Sequence, residues 1–254
     1  MDIDLAIDAD SRLEKVRLAI VELKGLDWQT ASFKTAQNPD YVPSRAKEIL
    51  REIRAWPSAH FEARKKAVRD MLRNGNYKPA GRAKPSSEYI LQAAIDGDFP
   101  MVNFFVDAVN LASLRYLYPM SIFDSDKAGM SLLVRLGAPN EEYIFNTSGQ
   151  IIDLEDLLCI CALDPHIELF TEKAIEKDII SGTLNDCVIC GVRGVPIANP
   201  VRDSMATKLF EGAHNAAVVI YAPRNDERDL EAAAHDVAEL CGQACNVPCV
   251  RILP

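Results

Sequence analysis

At 254 residues, with 48% hydrophobic and 26% charged side chains, the chain can bury a sizeable core and is not expected to be dominated by disorder. A net charge of -9 argues against a polyanion-binding surface over the whole molecule, and seven cysteines without a compact spacing read as reduced thiols rather than a disulfide framework. The acidic opening MDIDLAIDAD has no signal-like character and the longest apolar runs, such as AAVVIYA at 216–222, are too short to span a bilayer, so the expectation is a cytoplasmic protein with no membrane partner.

In chain order, SRLEKVRLAIVEL (11–23) carries apolar residues at helical spacing and predicts a helix. SRAKEILREIRAW predicts a second, with Ser44 as N-cap after Pro43, and SAHFEARKKAVRDMLRN a third, broken at Asn74 and Gly75. The stretch NYKPAGRAKPSS reads as a connection, and Ser87 followed by EYILQAAI as a short helix stopping near Gly97. These signals divide the chain into a helical N-terminal region, 1–84, packed on a main domain, 85–254. Between Arg45 and Lys84, twelve basic residues face four acidic ones. Such a run is usually a solvated helical face, and its functional alternative is an RNA footprint, with Lys65, Lys66 and Arg69 as candidate contacts.

Residues 101–127, MVNFFVDAVNLASLRYLYPMSIFDSDK, predict an apolar helix with Asn103, Asp107 and Asn110 on one narrow edge, followed by a change to strand periodicity. Strands are expected at SIFDSD, SLLVRLG, EEYIFN and the apolar runs near 157–163 and 187–197, with a helical excursion over 165–180. The end, HNAAVVIYAP, ERDLEAAAHDVAELCGQAC and VPCVRIL, reads as strand, helix, strand with parallel strands. The fold class is α+β.

Local catalytic signatures are few. Cys187 and Cys190 have zinc-knuckle spacing, with Cys159, Cys161 and His166 upstream, but Val188 and Ile189 between them suit a strand rather than a ligand-bearing turn. Small apolar packing is the alternative for Cys159 and Cys161, on one strand face, and no metal or other cofactor is assigned. There is no phosphate-binding loop, no dinucleotide fingerprint and no nucleophile elbow. In VRDSMATK, Arg202, Asp203, Ser204, Thr207 and Lys208 gather donors suited to a carboxylate, phosphate or ribose, or equally to a well-bonded turn.

Taken in order, PSSEYIL, VDAVN, PMSIFDSDK, LLVRLGAPNEEYIFN with its Gly149-Gln150 turn, RDSMATK and AAVVIYA resemble the landmarks of the editing, tRNA-binding (B-three/B-four) domain of the phenylalanyl-tRNA synthetase beta subunit, and especially its free-standing relatives. The resemblance covers roughly Lys78 to the C-terminus. It implies a β-rich domain with a mixed sheet, a helical lead-in and a C-terminal β-α-β unit. Its partner is tRNA or aminoacyl-tRNA, its reaction hydrolysis in trans of the ester of a mischarged tRNA, and DNA is not expected. Asn110 stands where the synthetase has a pocket asparagine. Ser121 stands where the editing enzymes have histidine, and Tyr221, or Ile220 beside it, where they have glutamate. The residues so implied are Asn110, Ser121 and Asp203 orienting a water, with Asp107, Asp126, Arg202, Ser204, Thr207 and Lys208 about the substrate. The departures at Ser121 and Tyr221 leave a second expectation, a non-catalytic module that binds an amino acid or tRNA in the same pocket.

Overall fold

A computed structural model describes residues 2–163 and 194–253. Two four-stranded sheets organise it. One has the order β1 (Asp4–Ile7), β4 (Ser131–Leu136), β7 (Leu158–Ala162), β8 (Val195–Ala198), with β1 parallel to β4 and the other pairs antiparallel. The other is fully antiparallel between neighbours, in the order β10 (Cys249–Leu253), β2 (Val16–Lys24), β9 (Asn215–Pro223), β3 (Met120–Asp124). A short hairpin, β5 (Glu142–Ile144) with β6 (Ile151–Asp153), stands beside them.

The helices are α1 (Trp28–Gln37), α2 (Tyr41–Arg54), α3 (Ser58–Leu72), α4 (Ser86–Asp96), α5 (Phe104–Tyr116), the single turn α6 (Ser125–Ala128) and α7 (Glu227–Cys241). The architecture is α+β, as expected. Helix α7 carries the chain from β9 to β10, which run parallel to each other with β2 inserted antiparallel between them.

The helix expected over 11–23 is absent. A 3-10 turn at Ser11–Lys15, capped by the Asp10 carboxylate accepting from the Arg12 N–H, leads into β2. Almost every residue of that strand is buried, because neighbouring strands flank it and both sheet faces are covered. A strand buried on both faces loses its period of two, so its apolar run imitates a helix, and β-branched Val16, Ile20 and Val21 tip the balance. The lead-in before residue 84 is therefore helical only from Trp28 onward, and strands from both sides of residue 84 join in each sheet. Helix α2 also starts earlier than Ser44, at Tyr41, with Pro43 in its first turn, where a missing N–H costs no intrahelical bond.

One core cluster joins the second sheet, helices α5 and α7 and the inner face of the first sheet through Leu132, Val134, Leu158, Ile160 and Ile197. The opposite face of β7 carries Cys159 and Cys161, which pack with Leu154, Leu157 and Val201 under the hairpin residues Tyr143 and Ile152. Burial pushes the Cys161 thiol up to about 12, so both behave as small apolar fillers. Gly137 is required at the crossing beside this cluster, since a Cβ there would meet the Leu154 carbonyl oxygen at 1.9 Å. Cys187, Cys190, His166 and the expected 165–180 helix lie outside the described residues. Among the described residues no helix is long and apolar enough to cross a membrane.

Candidate functional site

The loop from Asn199 to Leu209 stitches the two sheets and the hairpin together. Asn199, buried after β8, accepts at Oδ1 from the Val201 and Arg202 N–H groups at 2.8 and 2.9 Å and donates from Nδ2 to the Tyr143 hydroxyl at 2.5 Å. The Tyr143 hydroxyl in turn donates to the Arg202 carbonyl at 2.5 Å. Ser204 and Thr207 are buried: the Ser204 N–H and the Thr207 hydroxyl both donate to the Ile197 carbonyl, at 3.0 and 3.3 Å, and the Ser204 hydroxyl accepts from the Ala206 N–H. Further along, the Met205 N–H donates to Ile144 of the hairpin, and the Thr207 carbonyl accepts from Asp124 at the end of β3. Ser204 and Thr207 of VRDSMATK are thus spent on shaping this loop.

Asp203 is bonded less completely. Its Oδ2 accepts from the Ile122 N–H at 3.2 Å, while its buried Oδ1 has no hydrogen-bond partner among the described residues. Burial raises its pKa from 3.8 to about 7, against the opposing pull of the Ser121 hydroxyl, the Ile122 N–H and the Lys208 charge. The residue lies on the wall of a cleft of about 590 Å³ with Trp28, Phe104, Val106, Ile122 and Leu209, and with Lys208 beside it. The lining is mostly apolar, and Val102 and Phe210 at the cleft are exposed. Trp28 is fixed by its Nε1 donating to the Ala213 carbonyl at 2.7 Å and by its edge-to-face contact with Phe105 at 5.1 Å.

The remaining predicted residues are dispersed. Ser121 is fully buried on β3, its hydroxyl 3.2 Å from the Asn199 carbonyl and 3.0 Å from the Tyr221 hydroxyl, and it is not among the residues lining the cleft. Asn110 is half-buried, one turn beyond Val106, and is not among the residues lining the cleft. Asn103 is the N-cap of α5 rather than a residue inside it: its side chain accepts from the Val106 N–H at 3.0 Å. Asp107 completes a reciprocal cap by accepting from the Val102 N–H at 2.8 Å, and burial raises its pKa. It borders a separate, smaller cavity with Phe104, Ala108 and Leu111. Asp126 holds the start of β9 by accepting from the Asn215 N–H and side-chain amide at 3.0 and 2.7 Å.

Half of the basic run is paired internally. Arg69 forms a two-pronged ion pair with Glu88, both contacts 2.5 Å, Lys66 pairs with Asp70 at 2.5 Å, and Lys65 lies over the Phe61 ring. Arg64 is buried against Asp229, Asp226 and the Tyr118 ring. The residues that sequence reasoning did not assign are Asn199, Tyr143 and the apolar lining. An asparagine between β8 and a proline, and a tyrosine between Glu142 and Ile144 on β5, were the available signals.

Residues 78–231 match the family model of the B3/4 domain, the domain of the phenylalanyl-tRNA synthetase beta subunit family. The chain belongs to this family. At the family level the B3/4 domain is a tRNA-binding or editing-related module. The match includes α4, α5, the hairpin, the loop bearing Asp203, and strands β3 to β9. In this B3/4 protein both sheets are completed from outside that range, by β1 on one and by β2 and β10 on the other. No curated protein matches the chain.

Proposed function

We propose that the protein binds aminoacyl-tRNA in trans and hydrolyses the ester of a mischarged amino acid, using the cleft bordered by Asp203. The observation that carries this reading is Asp203 itself: a carboxyl at a cleft wall, with one oxygen unpartnered and a pKa of about 7. A group poised near neutrality suits general base catalysis, and an aminoacyl ester needs little more than a positioned water. In the step envisaged, the carboxylate takes a proton from water as its oxygen attacks the ester carbonyl. The tetrahedral intermediate then collapses, the bond to the ribose oxygen breaks, and the proton returns to that oxygen, releasing amino acid and tRNA. Trp28, Phe104, Val106, Ile122 and Leu209 favour an apolar amino-acid side chain, with Lys208 supplying positive charge at the same wall.

The test is deacylation of a panel of aminoacyl-tRNAs by the purified protein beside Asp203→Asn. Release of one mismatched amino acid is expected, rising with pH through about 7, with the rate over buffer falling by about two orders of magnitude or more in the variant. No release from any member, with the protein folded, would remove the hydrolytic reading. Ser121 and Tyr221 are bonded to each other in the interior, where the resemblance puts the histidine of editing enzymes at Ser121 and their glutamate at Tyr221 or Ile220 beside it, and this supports a second reading: the same cleft holds an amino acid or aminoacyl end without turnover. Calorimetric binding of a free amino acid or tRNA with no deacylation would favour it.

A further inference from the structure

Arg202 and Asp203 are adjacent, so their Cα atoms are about 3.8 Å apart, yet they border different cavities. Arg202 belongs to a groove of about 830 Å³ between the α3–α4 connection and the β5–β6 hairpin. Tyr77, Tyr89 and Phe145 line it together with Lys78, Arg82 and Arg202. The Arg202 guanidinium carbon is 4.6 Å from the centroid of the Phe145 ring and 5.1 Å from that of Tyr89, and the Lys84 ammonium is 4.4 Å from the Tyr89 ring. The connection carrying the other cations is braced from inside. Tyr77 donates its hydroxyl to the Ala83 carbonyl at 2.5 Å, and Tyr89 donates to the Arg82 carbonyl at 2.9 Å. Lys78 and Arg82 are exposed. Lys78, Arg82, Lys84 and Arg202 form no ion pair among the described residues, unlike Arg45, Arg64, Lys66 and Arg69 nearby. Two carboxylates also border the groove, Asp153 and Glu155. Asp153 accepts from the Glu155 N–H at 2.9 Å, and Glu155 from the Asn76 amide at 3.2 Å.

From this geometry we infer that the groove binds the phosphodiester backbone of an unpaired RNA end, with Arg202, Lys78 and Arg82 on the phosphates and the Tyr89 and Phe145 rings against the bases. Guanidinium and ring planes with unpaired lysine and arginine around them are what single-stranded nucleic acid recognition requires, and a rigid duplex offers no free base faces to such rings. The inference rests on the tRNA reading above and deepens it: the loop shared by the groove and the cleft places an RNA end on one side and its aminoacyl group on the other. It also assigns the RNA contact to residues other than Lys65, Lys66 and Arg69.

The experiment is fluorescence anisotropy of a labelled short single-stranded RNA with the full chain over a salt series, with the same-sequence duplex and an acidic poly-glutamate peptide as competitors. Lys78→Ala/Arg82→Ala, at exposed positions, is expected to weaken binding and to flatten the slope of log affinity against log salt by about 0.7 for each phosphate that is no longer neutralised. Arg202→Lys keeps the charge but loses the planar fork, and is expected to weaken binding by about tenfold with the slope retained. Lys65→Glu/Lys66→Glu is expected to leave affinity within about twofold of wild type. Three outcomes overturn the inference: the groove variants bind as wild type does, the Lys65→Glu/Lys66→Glu variant alone loses binding, or the duplex or the peptide competes as well as the single strand. Whole tRNA tested in parallel separates the two claims. Binding or deacylation of tRNA that is indifferent to the groove variants defeats the groove and spares the cleft, whereas groove-dependent oligonucleotide binding without affinity for tRNA defeats the tRNA reading.

Discussion

Burial raises the pKa of Asp203 more than its neighbours lower it: the Ser121 hydroxyl, the Ile122 and Asn199 backbone and the Lys208 charge together do not offset the cost of ionising a buried carboxyl. The sign of the consequence for stability follows from its raised pKa. Between 3.8, the ordinary value, and about 7, the native state keeps a proton that the unfolded chain has released, so stability falls as pH rises through that window and levels off above it. Asp203→Asn retains an acceptor for the Ile122 N–H and has no charge to bury. Its unfolding free energy is expected to match wild type near pH 4 and to exceed it at pH 8, with a gap of at most a few kcal/mol at ~1.4 kcal/mol per pKa unit, read from denaturant unfolding at the two pH values. A variant less stable than wild type at both ends would mean that the carboxylate is satisfied and that the proposed base is simply structural. The same residue stood out in the sequence only as one member of a polar cluster. Its neighbours Ser204 and Thr207 share its composition but turn inward, and nothing in VRDSMATK distinguishes the side chain that faces the cleft from those that bond the loop.

Helix α5 shows the same ambiguity one level up. Asn103, Asp107 and Asn110 have a spacing that fits an edge of a helix, and it equally fits an N-cap with a reciprocal partner in the first turn; the structure adopts the second. The cap also serves the cleft, because Asn103, Phe104 and Val106 line it. Asn103→Ala removes the acceptor for the Val106 N–H and is expected to cost about 1 kcal/mol in urea unfolding, while Asn103→Ser retains most of that stability. Equal stability of the two variants would show that the cap is dispensable. Helices α3 and α4 and the strands β4, β7 and β9 were legible, since apolar periodicity or a short apolar run ended at Gly, Asn or Pro in each case. Strand β2 was not, because burial on both faces erased the alternation that marks a strand.

Over the whole molecule, the segments outside the matched range 78–231 complete the sheets, and no local motif records that the two ends of the chain meet. The clue was a charged residue inside an apolar run: Glu22 is 2% exposed on β2, where its Oε1 accepts from Arg251 of β10 at 2.8 Å and from the Ile3 N–H, just before β1, at 3.2 Å. Arg251 also donates to the Ile3 carbonyl, and Lys24 lies 3.4 Å from the second Glu22 oxygen. One carboxylate therefore ties together the chain's two ends and a central strand. Removing one partner of a buried pair strands the other's charge, at a cost of ~3–5 kcal/mol when nothing else compensates. Because Lys24 and the Ile3 N–H remain, Arg251→Met is expected to lose less, about 1–3 kcal/mol in denaturant unfolding. Glu22→Leu in the same chain removes the charge that was stranded, so Arg251→Met/Glu22→Leu should recover part of the loss, with a coupling of ~1 kcal/mol or more in the double-mutant cycle. Simple addition of the two single losses would mean that β10 is held to β2 by its backbone ladder and apolar contacts alone.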